Sequence, residues 1–356
     1  MRRGFFLHGT LFVVLFAILV AGVLGGCADE QSSERISETR LLLDTYCAIT
    51  IHGDVDYGLI NEAFSLCEEY EALFSITTEG SDVWRVNHAG GEPVQVDPRT
   101  IEVIRGGLEF GELSDGMFDI TIGRLSRLWY FDCLNKNHEL PCSARALTCD
   151  FCRLGPVVPD EAEIEAVRAT VDYRQVSIVG DSVQLTDPGA WIDLGAIAKG
   201  YIADKIAEYL IEQGVSGALI DLGGDIVTVG NRQDGTPWRI ALREPLGDAD
   251  EYLGVIELTG AAVISSGIYE RQFEIDGVRY HHILDPNTGM PAVSDVVSAT
   301  VVADSAMIGE GLSTIAVLMG SERVQGMFGQ ASGFIGAVLV LVNGDILELG
   351  DVRLVN

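Results

Sequence analysis

The sequence predicts an α+β fold, a single domain of antiparallel or mixed sheets with helices packed against them. Short period-two strands dominate from residue 173 onward, and helical periodicity is confined to a few long segments. The chain has 356 residues, 47% of them hydrophobic, with 41 glycines, enough for one large core. No internal repeat and no linker-like stretch separates a second domain.

Taken in order, Leu41 to Ile51 alternates like a strand. Tyr57 to Phe74 places Leu59, Ile60, Ala63, Leu66, Tyr70 and Leu73 at helical spacing. A second helix is predicted from about Thr100 to Leu113, ending at Ser114-Asp115-Gly116. Asp160-x-x-Glu163 has the form of a capping box for a helix to about Thr170. Strands follow in "RQVSIVG", "SVQLTD", "AWIDL", "GALIDLGGDIVTVG", "PWRIALRE", "LGVIEL" and "AAVISS". "FEIDGVRYHHIL" reads as a hairpin turning at Asp276-Gly277. Two helices interrupt the strands, at about Ala196–Gln213 and Ser305–Met319, and "GAVLVLV" and "DILELG" return to strand.

The N-terminal residues stand apart from this pattern. Arg2 and Arg3 precede an apolar run that ends in Leu24-Gly25-Gly26-Cys27. A basic start, an apolar stretch and small residues before a cysteine describe an export signal. The ending resembles a bacterial lipobox, in which the cysteine is lipidated. The expected organisation is a signal peptide over residues 1–26, a polar tether over 27–38, and a domain over 39–356. Membrane attachment through lipidated Cys27, on the extracytoplasmic face, follows from that reading. An uncleaved membrane anchor is the alternative. A formal net charge of −30 excludes nucleic acid as a natural partner.

Four cysteines, Cys133, Cys142, Cys149 and Cys152, fall within one segment of about 131–155. Disulfides are the default outside the cytoplasm, and a zinc knuckle with His138 is the rival. Cys47 and Cys67 sit in apolar strand and helix patterns and are expected to be buried thiols.

Several stretches have the makings of a site. In "WIDLGAIAKGYIADKIAEYLIEQG" a strand ends at Asp193, and Gly195 and Gly200 bracket a turn before a helix with Lys199 in its first turn. A lysine there opposes the helix dipole, so a bound phosphate explains it better than helix stability does; a solvated lysine is the alternative. "LIDLGGDI" sets paired glycines between aspartates, suited to a tight turn or to close approach of a ligand. Glu310 and Thr314 are spaced i, i+4 and share a helix face, offering hard oxygen donors of the kind Mg²⁺ takes, or a local hydrogen bond. "YHHILDPNTGMP" places two of the six histidines before a turn. One imidazole facing the core and one facing solvent would be the ordinary arrangement.

In order, the chain contains D-L-G-A-x-A-K-G-Y from Asp193, D-L-G-G-D from Asp221, S-G-x-Y-E-R from Ser266, H-I-x-D-P-x-T-G from His282 and L-S-T from Leu312. "SDVWRVN", "DGMFDITIG" and "PWRIALREP" fit the same series. The series resembles the ApbE family of FAD:protein FMN transferases, from about residue 39 to the end. The resemblance implies a single α+β, T-fold-like domain that takes FAD as substrate. With Mg²⁺ it would move FMN onto a Thr or Ser hydroxyl of an exported acceptor protein and release AMP. It implies His282 as the base, and FAD contacts from Met117, Phe118, Asp119, Asp193, Lys199, His282 and Ile283. It also implies metal ligands at Ala196 (backbone oxygen), Glu310 and Thr314. FAD hydrolysis to FMN and AMP, or flavin binding without chemistry, are the competing readings of the same site.

The chain departs from the family's pattern in four places. Glu310 stands where the family has Asp, between Gly309 and Gly311 where alanines are usual. These glycines are expected to let the backbone adjust to the longer carboxylate, with Asp304 as the alternative donor. Leu43-Asp44-Thr45 replaces Met-Gly-Thr. Arg124 replaces a proline, and the cysteine segment is an insertion.

Overall fold

The computed structural model describes residues 35–53, 55–131, 155–245, 247 and 251–355, all within one compact unit. Its strands are β1 (Arg35–Leu42), β2 (Thr45–His52), β3 (Val94–Gln95), β4 (Val176–Val179), β5 (Ser182–Leu185), β6 (Gly217–Leu222), β7 (Ile226–Gly230) and β8 (Trp238–Arg243). They continue with β9 (Tyr252–Leu258), β10 (Ala262–Gly267), β11 (Gln272–Ile275), β12 (Val278–His281), β13 (Val296–Ala303), β14 (Phe334–Leu341) and β15 (Ile346–Gly350). Eight of them form one sheet in the order β1-β2-β6-β7-β10-β13-β14-β15, antiparallel at every pairing.

One face of that sheet is covered by helices α1 (Gly58–Phe74), α6 (Ala198–Glu212) and α7 (Ala306–Met319), whose apolar stripes join β2, β6 and β13 in the main core. The opposite face is covered by the β8–β9 pair, through Trp238, Ile240, Leu242, Ile256 and Leu258 against Val263, Val302 and Val338. All eight residues of β13 are therefore buried, which is why "VVSATVVA" reads as continuous rather than alternating. The other helices among the described residues are α2 (Asp82–Asn87), α3 (Pro98–Leu113), α4 (Gly123–Trp129), α5 (Glu161–Arg168), α8 (Ser321–Phe328) and a 3₁₀ turn at Tyr173–Gln175. No helix among these residues is long and apolar enough to cross a membrane.

The α+β expectation holds, and the hairpin at Asp276-Gly277 forms as read, with φ of 52° and 79° there. Other readings need correction. The strand expected over Leu41–Ile51 is two strands, β1 and β2, joined at Leu43 and Asp44, both at positive φ. A two-residue turn lets the apolar spacing run on almost unbroken, so the pattern hid it. Strand β1 begins at Arg35, inside the stretch read as tether. "AWIDL" makes only a single parallel bridge, Trp191 to Ile122. The short helices α2, α4 and α8 were not anticipated, being too brief to show a period. Asp160 caps α5 by accepting from the Ala162 N–H at 2.9 Å. Cys47 and Cys67 are buried free thiols, as expected. Residues 1–34 and the cysteine segment from Cys133 to Cys152 lie outside the described residues.

Candidate active site

The site is assembled at the N-termini of α6 and α7. Gly200, in the first turn of α6, lies so close to α7 that a Cβ would stand 2.5 Å from the Ala306 carbonyl oxygen. Only glycine permits that approach. The contact is fastened by two carboxylates working in opposite directions. Asp204 of α6 accepts from the Ala306 N–H at 2.6 Å, the Met307 N–H at 3.1 Å and the Ser305 hydroxyl at 2.6 Å, capping α7. Glu310 of α7 accepts from the Gly200 N–H at 2.8 Å and takes the Lys199 ammonium on its other oxygen.

Lys199 has a second carboxylate partner, Asp225, at 2.7 Å. Asp225 ends the turn between β6 and β7, where Gly223 and Gly224 both adopt positive φ (76° and 99°). Asp221 fixes that turn by accepting from the Gly224 N–H at 2.7 Å. Asp225 and Glu310 are 5% and 4% exposed, so two buried carboxylates meet an ammonium whose side chain is 29% exposed. Burial works against the Lys199 charge, but Asp225 and Glu310 outweigh it and hold its pKa above the ordinary lysine value. Burial raises the Glu310 pKa, Lys199 opposes that rise, and Asp225 adds to it.

Thr314 lies one turn beyond Glu310, its hydroxyl 3.3 Å from that of Ser266, which also meets Ser313 at 2.7 Å. Glycine plays a different part around Glu310 from the one expected. A Cβ on Gly309 would stand 2.7 Å from Ile264, and one on Gly311 would lie 2.4 Å from the Phe110 ring. These glycines admit neighbouring side chains; they do not loosen the start of a helix whose Ser305 cap is intact. Asp304, the alternative donor, is exposed and absent from the cavity wall.

The two histidines part company at the end of β12. His281 is 5% exposed, its Nε2 3.1 Å from the Ala292 carbonyl oxygen. His282 faces a cavity instead of solvent. Burial, then Arg271 and the neighbouring His281, pull its pKa down to about 3, so its ring is neutral at physiological pH. Its Nδ1 is buried without a hydrogen-bond partner. The turn beyond is set by Asp285, whose side chain accepts from the Asn287 N–H at 2.8 Å and whose carbonyl accepts from the Gly289 N–H at 2.8 Å. The Trp129 indole donates to the Gly289 carbonyl at 2.9 Å and pins the turn to α4.

Asn87 exchanges two hydrogen bonds with the Ile192 backbone (2.7 and 2.8 Å), so the "SDVWRVN" stretch holds the segment carrying Asp193. Asp119 spends its carboxylate on the Thr121 N–H and hydroxyl and the Tyr173 N–H, at 2.6–2.8 Å. It shapes the loop from within. Phe118 is buried against Phe110, and the Met117 sulfur receives the Asn287 amide at 3.1 Å.

Met117, Phe118, Asp119, Asp193, Ala196, Lys199, His282, Ile283, Glu310 and Thr314 all line one cavity of about 1150 Å³. That exceeds the roughly 300–1,000 Å³ of most small-molecule pockets, and suits a ligand of dinucleotide size. Sequence reasoning missed Asp225 as a site residue, although its place after paired glycines was a signal. It also missed Asp204, whose partners are about a hundred residues away and leave no local trace. The donors proposed for a cation fit one in kind: a carboxylate and a hydroxyl one helical turn apart, with Ala196 in the same cavity wall. No cluster of three or more His, Cys, Asp or Glu able to hold a metal occurs among the described residues.

Comparison with known proteins gives a consistent result. Residues 43–339 match the ApbE family model. An FAD:protein FMN transferase of Klebsiella pneumoniae is 35% identical over 302 residues, covering 84% of this chain and 87% of the relative. One from Treponema pallidum is 31% identical over 330 residues, covering 87% and 85%. Among solved structures, the ApbE protein of Thermotoga maritima superposes with a TM-score of 0.76 at 31% identity, covering 89% of this chain and 97% of its own. The flavin transferase ApbE of Vibrio cholerae gives 0.75 at 30% identity, covering 89% and 96%.

Proposed function

The chain belongs to the ApbE family and is an FAD:protein FMN transferase, and we propose that the reaction takes place in the cavity between α6, α7 and the His282 turn. The observation that supports this most is that all ten residues implied by the family resemblance line that one cavity. FAD enters with its pyrophosphate toward Lys199, at the N-terminal end of α6 where backbone N–H groups and the dipole favour anions.

The acceptor's Thr or Ser oxygen attacks the phosphorus on the FMN side of the pyrophosphate. A new P–O bond forms, the bond to the AMP oxygen breaks, and AMP leaves. His282 removes the hydroxyl proton. A base must be unprotonated to do this, and burial keeps the His282 ring neutral. Asp193 and the Met117–Asp119 loop shape the flavin end. Glu310, Thr314 and the Ala196 carbonyl are the groups that would hold Mg²⁺, with Glu310 exchanging Lys199 for the ion. When bound, the ion neutralises charge developing on the pyrophosphate. The export motif ending at Cys27 supports a lipid-anchored enzyme on the extracytoplasmic face, acting on exported redox proteins.

The test is incubation with FAD, Mg²⁺ and a candidate acceptor protein, followed by intact-mass analysis and nucleotide chromatography. FMN attached to the acceptor with one AMP released per attachment is expected. AMP and free FMN with an unmodified acceptor would make the protein a hydrolase instead.

A further inference from the structure

Lys199 is a single cation between two buried carboxylates, and the surplus negative charge calls for an explanation. One carboxylate suffices to balance the ammonium. With both ionised, a second leaves the cluster with a net charge of −1 in the wall where an anionic pyrophosphate is to bind. The two carboxylates also differ in mounting. Glu310 stands on α7 one helical turn before Thr314, in the same cavity wall. Asp225 is mounted on the sheet instead, at the turn between β6 and β7. It sits on a rigid support: the Leu222 N–H donates to its carbonyl at 3.0 Å, and the Gly223 N–H donates to the Tyr46 carbonyl at 3.1 Å. Gly223 is so close to β2 that a Cβ would stand 2.4 Å from the Thr45 hydroxyl.

From this geometry we infer that Asp225 is the positioning residue of Lys199, its permanent counter-ion, tying the ammonium on α6 to the sheet so that it meets the FAD pyrophosphate from a fixed place. Glu310 is then the exchangeable partner, free to leave Lys199 when a cation arrives. The inference rests on the reading of Lys199 as a pyrophosphate contact.

Charge alone and positioning predict opposite signs. Removing a negative group near an anionic ligand strengthens binding by Coulomb's law. Removing a support that holds the binding ammonium weakens it. The measurement is FAD affinity from flavin fluorescence without Mg²⁺, on the full chain. Asp225→Asn is expected to weaken FAD binding about tenfold, and Asp225→Glu to recover most of it. With Lys199→Met as background, Asp225→Asn is expected to change FAD affinity little, since its effect runs through Lys199. FAD binding in Asp225→Asn as tight as wild type or tighter overturns the inference. So does a tenfold loss that persists in the Lys199→Met background, which would mark Asp225 as a structural residue. Wild-type protein that binds no FAD would remove the flavin reading and this inference together.

Discussion

The Gly200 N–H donates to Glu310 Oε2 at 2.8 Å, joining the first turn of one helix to a side chain of the other. Asp204 returns the favour to the N-terminus of α7. The two helices that carry Lys199, Glu310 and Thr314 are thus held N-terminus to N-terminus, and the site's geometry depends on their separation.

Gly200→Ala tests that dependence. The added Cβ meets backbone, the Ala306 carbonyl oxygen at 2.5 Å, and backbone cannot rotate away as a side chain does. Overpacking of this kind costs about 1–3 kcal/mol. A lower Tm is expected, with FMN transfer falling further than stability does, because α6 and α7 must separate. An unchanged transfer rate would show that the site tolerates a wider spacing.

His281 and His282 are expected to fail differently. His282→Ala abolishes transfer while FAD still binds. His281→Ala removes a buried ring and its contact with the Ala292 carbonyl, so it lowers Tm, by roughly 1–3 kcal/mol of stability. Its transfer rate at 25 °C stays within a few-fold of wild type. Equal losses of transfer in the two folded variants would sink the assignment of the base.

Much of this was legible in the sequence, and the reasons are local. Periodicity places α1, α3, α6 and α7 within a few residues, and the Asp276-Gly277 hairpin declares itself through turn chemistry. Leu43-Asp44 does not, because a leucine at positive φ is an uncommon turn residue. The site residues implied by resemblance do converge on one cavity. What remained hidden is pairing across long sequence separations: Asp225 with Lys199, Asp204 with Ala306, Asn87 with Ile192. The glycines beside Glu310 misled for the same reason, since their occupants, Ile264 and Phe110, lie on other elements.

The pH response follows from the same two histidines. Burial holds the pKa of His281 at about 4 and of His282 at about 3, against an ordinary value of 6.5. Below pH 6.5 the unfolded chain takes up protons that the folded chain refuses until about pH 4 and 3. Their stabilising contribution is therefore complete above pH 6.5 and is lost as pH falls toward those values. Thermal melting from pH 7 to pH 4 should show Tm declining, with a shallower decline in His281→Ala. The same low pKa predicts that His282 contributes no acid limb near pH 6.5 to kcat/KM for FAD. A limb near pH 6.5 that persists in Glu310→Gln, whose native carboxyl is itself raised to about 7, would mean that His282 titrates as an exposed imidazole does.

Gly311→Ala introduces the residue that the family resemblance implies there and is nevertheless expected to harm this protein. Its Cβ would lie 2.4–2.6 Å from three atoms of the Phe110 ring, which also packs against Phe118. The expected loss is about 1–3 kcal/mol, read as a lower Tm. Combining it with Phe110→Leu should return part of that loss. Full stability in the single variant would show that the ring has room to move.

Glu310 stands where the family resemblance implies Asp, and its structure explains what the extra methylene reaches. One carboxylate oxygen meets Lys199 and the other the Gly200 N–H, so the longer side chain spans from α7 to the first turn of α6. Glu310→Gln keeps the length and removes the charge. An amide supplies one oxygen where the carboxylate supplies two, so one of the two bonds is lost and a cation gains less. Most Mg²⁺-dependent transfer should disappear, at least about tenfold in rate, equivalent to about 1.4 kcal/mol in the barrier. Glu310→Asp keeps the charge and withdraws it by about one bond length. It should lose the Gly200 contact, lower Tm, and retain an intermediate rate with a higher Mg²⁺ requirement, since Mg²⁺ tolerates little displacement of its ligands. Transfer rate against Mg²⁺ concentration, measured for wild type and both variants, separates these effects. If Glu310→Gln keeps the wild-type rate and Mg²⁺ dependence, Glu310 serves only to join the helices. The carboxylate for the cation must then come from another acid of the cavity wall, such as Asp193 or Asp225, and not from Asp304, which lies outside that wall.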